Sequence, residues 1–195
     1  DLMQERIFAP LGMTDTGFQI SADAVERFTT CYQVDAEAGS NRLTVYDPRE
    51  GSAWARPPTF PNAAGDLLST ASDLLAFGEM LIGQGERAGV RILSPESVAQ
   101  MTADQLTSIQ KAATGADRDL FGIDGWGFGM QVHTRRTPLG QNAGTYGWDG
   151  GLGTSWANDP VAGLVGVLLT NLSWTSPTPP AVRNDFWRTA HAALT

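Results

Sequence analysis

The sequence predicts an α+β fold, an antiparallel sheet with flanking helices, and three observations predict it. Apolar residues recur at helical spacing around 70–81 and again after Pro180. From Gly125 the period changes to two, which is the period of a strand. The turn sequences Gly150-Gly151 and Asp159-Pro160-Val161-Ala162-Gly163 separate strand-length runs, so neighbouring strands are joined as hairpins.

Taken in order, Leu2, Met3, Ile7 and Phe8 share one face of a first helix and Gln4, Glu5 and Arg6 the other. Pro10 and Gly12 are expected to stop it. Residues 13–28 read as turns. Thr29–Val34 and Arg42–Tyr46 read as a hairpin across Gly39-Ser40-Asn41. Residues 47–66 are loop, rich in proline and glycine. Thr70 and Asp73 form a capping-box pattern for a helix whose stripe is Leu74, Leu75, Phe77, Met80 and Leu81 and whose end is Gly83 and Gly85. Ser94-Pro95-Glu96 starts a short helix with Val98 and Met101 facing inward.

Residues 103–125 read as a connection. Trp126, Phe128, Met130 and Val132 then form the bulky face of a strand whose other face is nearly bare, so glycines there admit a close neighbour. Residues 144–149 and 152–158 flank the Gly-Gly turn. Leu164–Leu169 is an apolar run expected to be buried on both faces. Val182, Phe186, Ala190, Ala193 and Leu194 are expected to share the buried face of the last helix.

Composition bounds the function. Hydrophobic residues are 42% and charged residues 17% of the 195, an ordinary globular balance. With 13 basic against 21 acidic residues the net charge is -8, which disfavours nucleic acid as a partner. No apolar run reaches the length of a membrane span. Cys31 is the only cysteine and reads as a small buried hydrophobe. His133 and His191 are far apart, and no HExxH or CxxC spacing occurs, so neither a metal nor a cofactor is expected. His133 reads as a structural histidine. The chain opens inside a helical pattern, without an initiator methionine or a cap, and is expected to be a fragment or a processed product.

Five segments together resemble the serine β-lactamase, penicillin-binding protein and class C-like esterase family. Ile7–Phe18 looks like the stretch after that family's catalytic tyrosine motif. Gly65–Leu74 looks like its loop-to-helix junction, Ile92–Val98 its next helix, and Gly125–Met130 the strand that follows. Tyr146-Gly147-Trp148-Asp149-Gly150-Gly151-Leu152-Gly153 looks like its third active-site motif. They occur in family order over nearly the whole chain. The resemblance implies a partial β-lactamase/transpeptidase-like fold, with residues 1–195 as the C-terminal portion. It implies acyl transfer, in which a Ser-x-x-Lys serine attacks a carbonyl and backbone N–H groups hold the oxyanion. Both the nucleophile and the catalytic tyrosine would lie upstream of Asp1, so the chain alone is expected to be inactive and to carry no catalytic residue.

By the same resemblance, Trp148, Asp149, Gly150 and Gly151 would form the substrate-binding and oxyanion wall, with the Gly151 N–H as one donor. From the residues alone, Asp149-Gly150-Gly151 also reads as a hairpin turn. Where a lysine would hold a substrate carboxylate, Trp148 offers stacking and no charge. Asp149 adds a negative charge expected to repel a carboxylate. Together these favour a small-molecule ester or amide over a β-lactam. Ser108-Ile109-Gln110-Lys111 matches Ser-x-x-Lys formally, but no apolar stripe follows it, and it reads as a decoy. Tyr32, Tyr46 and Trp54 are candidates for cleft lining or for covering a core edge. Trp174 belongs to a connector into the last helix.

Three readings stay open: a piece of a serine acyl hydrolase; a non-catalytic binding module for a peptide, glycan or lipid; and a self-sufficient enzyme using Ser108 and Lys111. A sheet edge left uncovered is expected to pair with the protein's own N-terminal segment or with a second copy. Nothing in the sequence assigns a compartment.

Overall fold

The computed structural model describes residues 2–35, 42–113 and 124–194. The predicted turn Gly39-Ser40-Asn41 and much of the 103–125 connection lie outside them. Among the described residues the organising unit is a four-stranded antiparallel sheet of β5 (Gln131–Val132), β6 (Tyr146–Gly150), β7 (Thr154–Asp159) and β8 (Leu164–Leu169), in that order. Two hairpins stand apart from it: β1 (Cys31–Val34) with β2 (Leu43–Asp47), and β3 (Glu86–Arg87) with β4 (Val90–Arg91).

A helix covers each face of the sheet. On one side lies α2 (Ala71–Ile82). There Tyr146, Trp156, Asn158 and Val165 project, and Gly78 lets the helix approach. A methyl group at Gly78 would sit 2.5 Å from Val165 Cγ1 and 2.9 Å from Trp156 Nε1. Asn158, fully buried, ties the layers by donating to the Gly78 carbonyl at 2.8 Å and to Tyr146 Oη at 3.1 Å. On the other side lies α5 (Ala181–Ala192). Its Trp187, 1% exposed, lies against Gly166 of β8, where a methyl group would meet the indole at 2.4 Å.

The main core joins Phe8, Leu11 and Met13 to Ala76, Met80 and Leu81 of α2, Val98, and Met130, Val132 and Tyr146 of the sheet. The first helix reaches it as a π-helical stretch, Gln4–Phe8, running into α1 (Ala9–Leu11). Pro10 does not stop the helix as expected. It sits in the first turn of α1, where its missing N–H costs little. Gly12 ends the helix at φ 71°, and the Met13 N–H closes back on the Phe8 carbonyl at 2.9 Å. Leu2, expected on the inner face, is 72% exposed.

Thr70 caps α2 by accepting from the Asp73 N–H at 3.2 Å. The reciprocal half of the capping box is absent. The Asp73 carboxylate instead accepts from the Asp15 N–H and from Thr16 Oγ1, both at 2.8 Å, pinning the 13–17 loop to the helix start. Leu75, predicted in the stripe, is 38% exposed, and Ala76 takes the inner place. Ser94 caps α3 (Pro95–Met101) through the Ser97 N–H, as the sequence predicts.

Four further expectations are corrected. Residues 103–125 are not wholly a connection, since α4 (Ser108–Ala113) lies within them. The predicted strand from Gly125 folds back on itself: Gly127 N–H donates to the Met130 carbonyl, Trp126 bridges Gln131, and Phe128 is 56% exposed at the tip. The close approach expected at its glycines holds at Gly127, where a methyl group would meet the Met101 carbonyl oxygen at 2.0 Å, but not at Gly129, which has nothing within 4 Å. β8 is half-buried rather than buried on both faces, for it is the outer strand of the described sheet. Finally, α5 is rotated from the predicted face. Val182 and Leu194 are exposed, while Trp187 and His191 are buried, because His191 satisfies both ring nitrogens internally.

Asp73→Ala should lower stability by about 2–4 kcal/mol, since it leaves two partly buried donors without their charged acceptor. Thr70→Ala, which removes only the cap, should cost about 1 kcal/mol. Urea unfolding of both variants checks the order. Equal losses would mean that the loop contacts add nothing.

Candidate functional site

The site is built on the end of β6. Strand pairing sets Trp148 opposite Trp156 and Asp149 opposite Ser155, so the two neighbours point to opposite faces of the sheet. Trp148 is 43% exposed and meets Trp126 edge to face, with ring centroids 4.7 Å apart. Trp126 is fixed in turn through its backbone. Its N–H donates to Asp104 Oδ1 at 3.0 Å, and its carbonyl accepts from the Gln105 N–H at 2.8 Å. An indole pair thus forms a partly exposed shelf at the end of the strand.

Asp149 turns the other way, toward α5. Arg183 Nη2 lies 3.0 Å from its Oδ2, with side chains 12% and 17% exposed. Ser155 Oγ donates to Asp149 Oδ1 and accepts from Trp187 Nε1 at 2.9 Å. The expectation that Asp149 repels a substrate carboxylate is therefore corrected. Its charge is matched by Arg183 and lies on the face away from Trp148.

Gly150 is half-buried and Gly151 is exposed. The turn they begin is tied by its carbonyls. Gly153 N–H donates to the Gly150 carbonyl at 3.0 Å, and Trp174 N–H to that of Gly151 at 2.8 Å. The Gly153 carbonyl accepts from the Thr170 N–H and from Thr170 Oγ1, at 2.9 and 2.8 Å. Gly153 has φ 97°, and a methyl group there would meet Thr170 Oγ1 at 2.3 Å, so only glycine suits the position. Trp174 is thus more than a connector, because its amide holds the turn at Gly151 in place. Through the Ser173 N–H and the Asn171 carbonyl the same segment also holds Tyr32 of β1, at 2.8 Å each.

A small recess of about 10 Å³ opens on the α5 side, lined by His133, Gly147, Asp149, Ser155 and Arg183 among others. His133 Nδ1 lies 3.5 Å from Asp124 Oδ1. Burial pushes the imidazole pKa down, and the Asp124 carboxylate only partly offsets this. Nearby, Asp159 is 1% exposed. Burial raises its pKa, but donors from Asn142, Ala162 and His191 outweigh that and leave it below the usual carboxylate range.

The other candidates separate from this wall. Ser108 is exposed, and Lys111 is paired with Asp104. Cys31 is half-buried, with burial pushing its thiol pKa up, the opposite of an activated nucleophile. Tyr46 is exposed, and Trp54 donates Nε1–H to the Asp66 carbonyl at 2.9 Å, bracing a loop. Among the described residues no group of three or more His, Cys, Asp or Glu could hold a metal, and no helix is long and apolar enough to cross a membrane.

Sequence reasoning missed Arg183, Ser155 and Trp187. The signal was present: Arg183, Trp187 and His191 recur every fourth residue on α5. It was hidden because an apolar count discards an arginine and a histidine.

The β-lactamase family profile matches residues 1–192. The chain is 42% identical over 169 residues to Protein Rv1367c of Mycobacterium tuberculosis, covering 84% of the chain and 41% of that protein. It is 29% identical to penicillin-binding protein 4 of Amycolatopsis lactamdurans over 175 residues (88% of the chain, 41% of the relative). It is 29% identical to esterase EstB of Burkholderia gladioli over 186 residues (88% and 43%). Among solved structures, a mutant simvastatin synthase from Aspergillus terreus superposes at TM-score 0.75 with 20% identity, covering 98% of the chain and 48% of that protein. The chain spans less than half the length of each.

His133 supplies a pH test. Its pKa is lower in the folded than in the unfolded chain, so the unfolded chain takes up the proton first. Stability should therefore fall as the pH drops below about 6.5, the ordinary histidine value. His133→Gln should flatten that slope in urea midpoints measured from pH 7 to 5, and an unchanged slope would exclude His133 as its source.

Proposed function

Because the chain belongs to the β-lactamase family, we propose that it is the C-terminal portion of a serine acyl hydrolase acting on a small-molecule ester or amide. The nucleophile and catalytic tyrosine are supplied by polypeptide upstream of Asp1. The match to less than half of each relative supports this division. So does the state of the only Ser-x-x-Lys match among the described residues, with Ser108 exposed and Lys111 held by Asp104.

In this reading the upstream serine attacks the substrate carbonyl, and negative charge grows on the carbonyl oxygen. The Gly151 N–H, with the serine's own, stabilises that oxygen. The leaving alcohol or amine departs with a proton, and water releases the acyl group from the enzyme. Trp148 forms the wall beside the acyl or leaving group.

The observation that carries the substrate preference is Trp148, 43% exposed and packed edge to face against Trp126. An indole there binds flat or apolar groups and offers no fixed cation for a carboxylate. The esterase and penicillin-binding protein relatives bracket the two outcomes. The N-terminal segment of the same protein is the proposed partner of the open β8 edge, where Leu169 is 43% exposed.

In the full-length protein a fluorophosphonate should label a serine upstream of this chain, and a short p-nitrophenyl ester should be turned over at least about tenfold faster than nitrocefin. Faster nitrocefin turnover would reverse the substrate assignment. Labelling of Ser108 would replace the upstream nucleophile. Absence of label, with tight binding of a peptide, glycan or lipid, would favour the binding-module reading. The isolated chain should associate with itself in light scattering, and a monomer at high concentration would count against the open edge.

A further inference from the structure

The oxyanion wall is tied to the sheet by its carbonyls, but nothing in those bonds fixes which face each residue of β6 presents. The residue immediately before Gly150 is Asp149, and its carboxylate is gripped from the α5 side. Arg183 Nη2 approaches Oδ2 at 3.0 Å, and Ser155 donates to Oδ1. Ser155 is held by Trp187 Nε1 at 2.9 Å, and Trp187 is wedged against Gly166 of β8. All four side chains are largely shielded from water, Ser155 and Trp187 nearly completely. The grip therefore runs from strand to helix and back to the sheet.

We propose that Arg183 and Asp149 are positioning residues that lock the pleat of β6, so that Trp148 and the Gly151 N–H face the reacting carbonyl. The inference rests on the function proposed above. With Asp149 drawn to the helix side, alternation sends Trp148 and Gly150 to the opposite face. Freed of Arg183, Asp149 becomes a buried charge without its cation and turns toward water, twisting the strand just before the turn. The donors of an oxyanion hole act by geometry, so a small twist there weakens transition-state stabilisation while leaving ground-state binding nearly intact.

The test uses the full-length protein with a p-nitrophenyl ester, each variant assayed well below its own melting temperature. Arg183→Met keeps the aliphatic stem and removes the charge, and Asp149→Asn keeps the shape. Each should lower kcat about 10- to 100-fold with KM within about twofold. The double variant should be no worse than the worse single one, because the two act as a unit. Arg183→Lys should recover part of the loss. His191→Gln, on the same helix but bonded to Asp159 and the Trp187 carbonyl, is the control for simple destabilisation and should leave kcat within about twofold.

An active wild type whose Arg183 and Asp149 variants keep kcat would overturn the positioning role and leave the hydrolase reading standing. So would a His191→Gln loss equal to that of Arg183→Met. A wild type without fluorophosphonate label and without turnover of ester, amide or nitrocefin would overturn both.

Discussion

The alternation of β6 is the constraint on which the rest of this structure depends. Successive residues must point to opposite faces of the sheet, and each face is claimed by a different helix. Tyr146 goes to the α2 side and joins the main core. Asp149 goes to the α5 side and joins a polar layer. Trp148, on the same face as Tyr146 but beyond the helix, is left for solvent. A slip of one residue would bury Trp148 against Arg183 and present Asp149 to the outside. The wall at Gly150 and Gly151 thus inherits its orientation from the packing of both faces.

The two helix contacts are made in different ways. α2 contributes the apolar residues Ala76, Met80 and Leu81, and its close approach at Gly78 fits the bulky Trp156 and Val165 of the sheet. α5 uses one large ring, Trp187, and surrounds it with Arg183, Ser155, Asp159 and His191. Such a layer is costly to assemble, because each charge must be desolvated, and breaking one partner of a buried pair costs about 3–5 kcal/mol. Its compensation is directional. An apolar contact of the same area tolerates rotation of the helix, whereas the Arg183–Asp149 pair is satisfied at one rotation and one register.

That distinction explains what the sequence made legible. The caps Thr70 and Ser94, the hairpin turns around Gly151 and Asp159-Pro160, and the core stripe Met80–Leu81 follow local rules and are found where those rules put them. Residues 148–151 lie at the end of β6, where the period-two pattern and the Gly-Gly turn put a strand end. Failures fall where tertiary contacts outvote local pattern. Phe128 alternates correctly for a strand, yet the chain turns at Gly127–Gly129, where the Gly127 N–H donates to the Met130 carbonyl and the Phe128 N–H to that of Met101. Asp73 matches the capping box, but the 13–17 loop offers its carboxylate two better donors. α5 was rotated by the apolar rule, because that rule has no means of recognising a histidine whose two ring nitrogens both lie against buried polar atoms.

The pairing of Asp149 also bears on the proposed substrate. Judged by composition, a carboxylate beside the oxyanion wall would screen out anionic substrates. Its pairing with Arg183 at 3.0 Å on the opposite face makes it part of a near-neutral unit, and interactions of such a unit with a substrate fall off faster than those of a bare charge. Under the proposed function, selectivity against a carboxylate then comes from what the exposed face presents. That face presents Trp148 leaning on Trp126, two indoles whose outer surface rewards apolar or flat groups and gives an anion nothing to bind. In the function proposed above, the preference for a neutral ester or amide rests on an attraction that is missing, with no repulsion required.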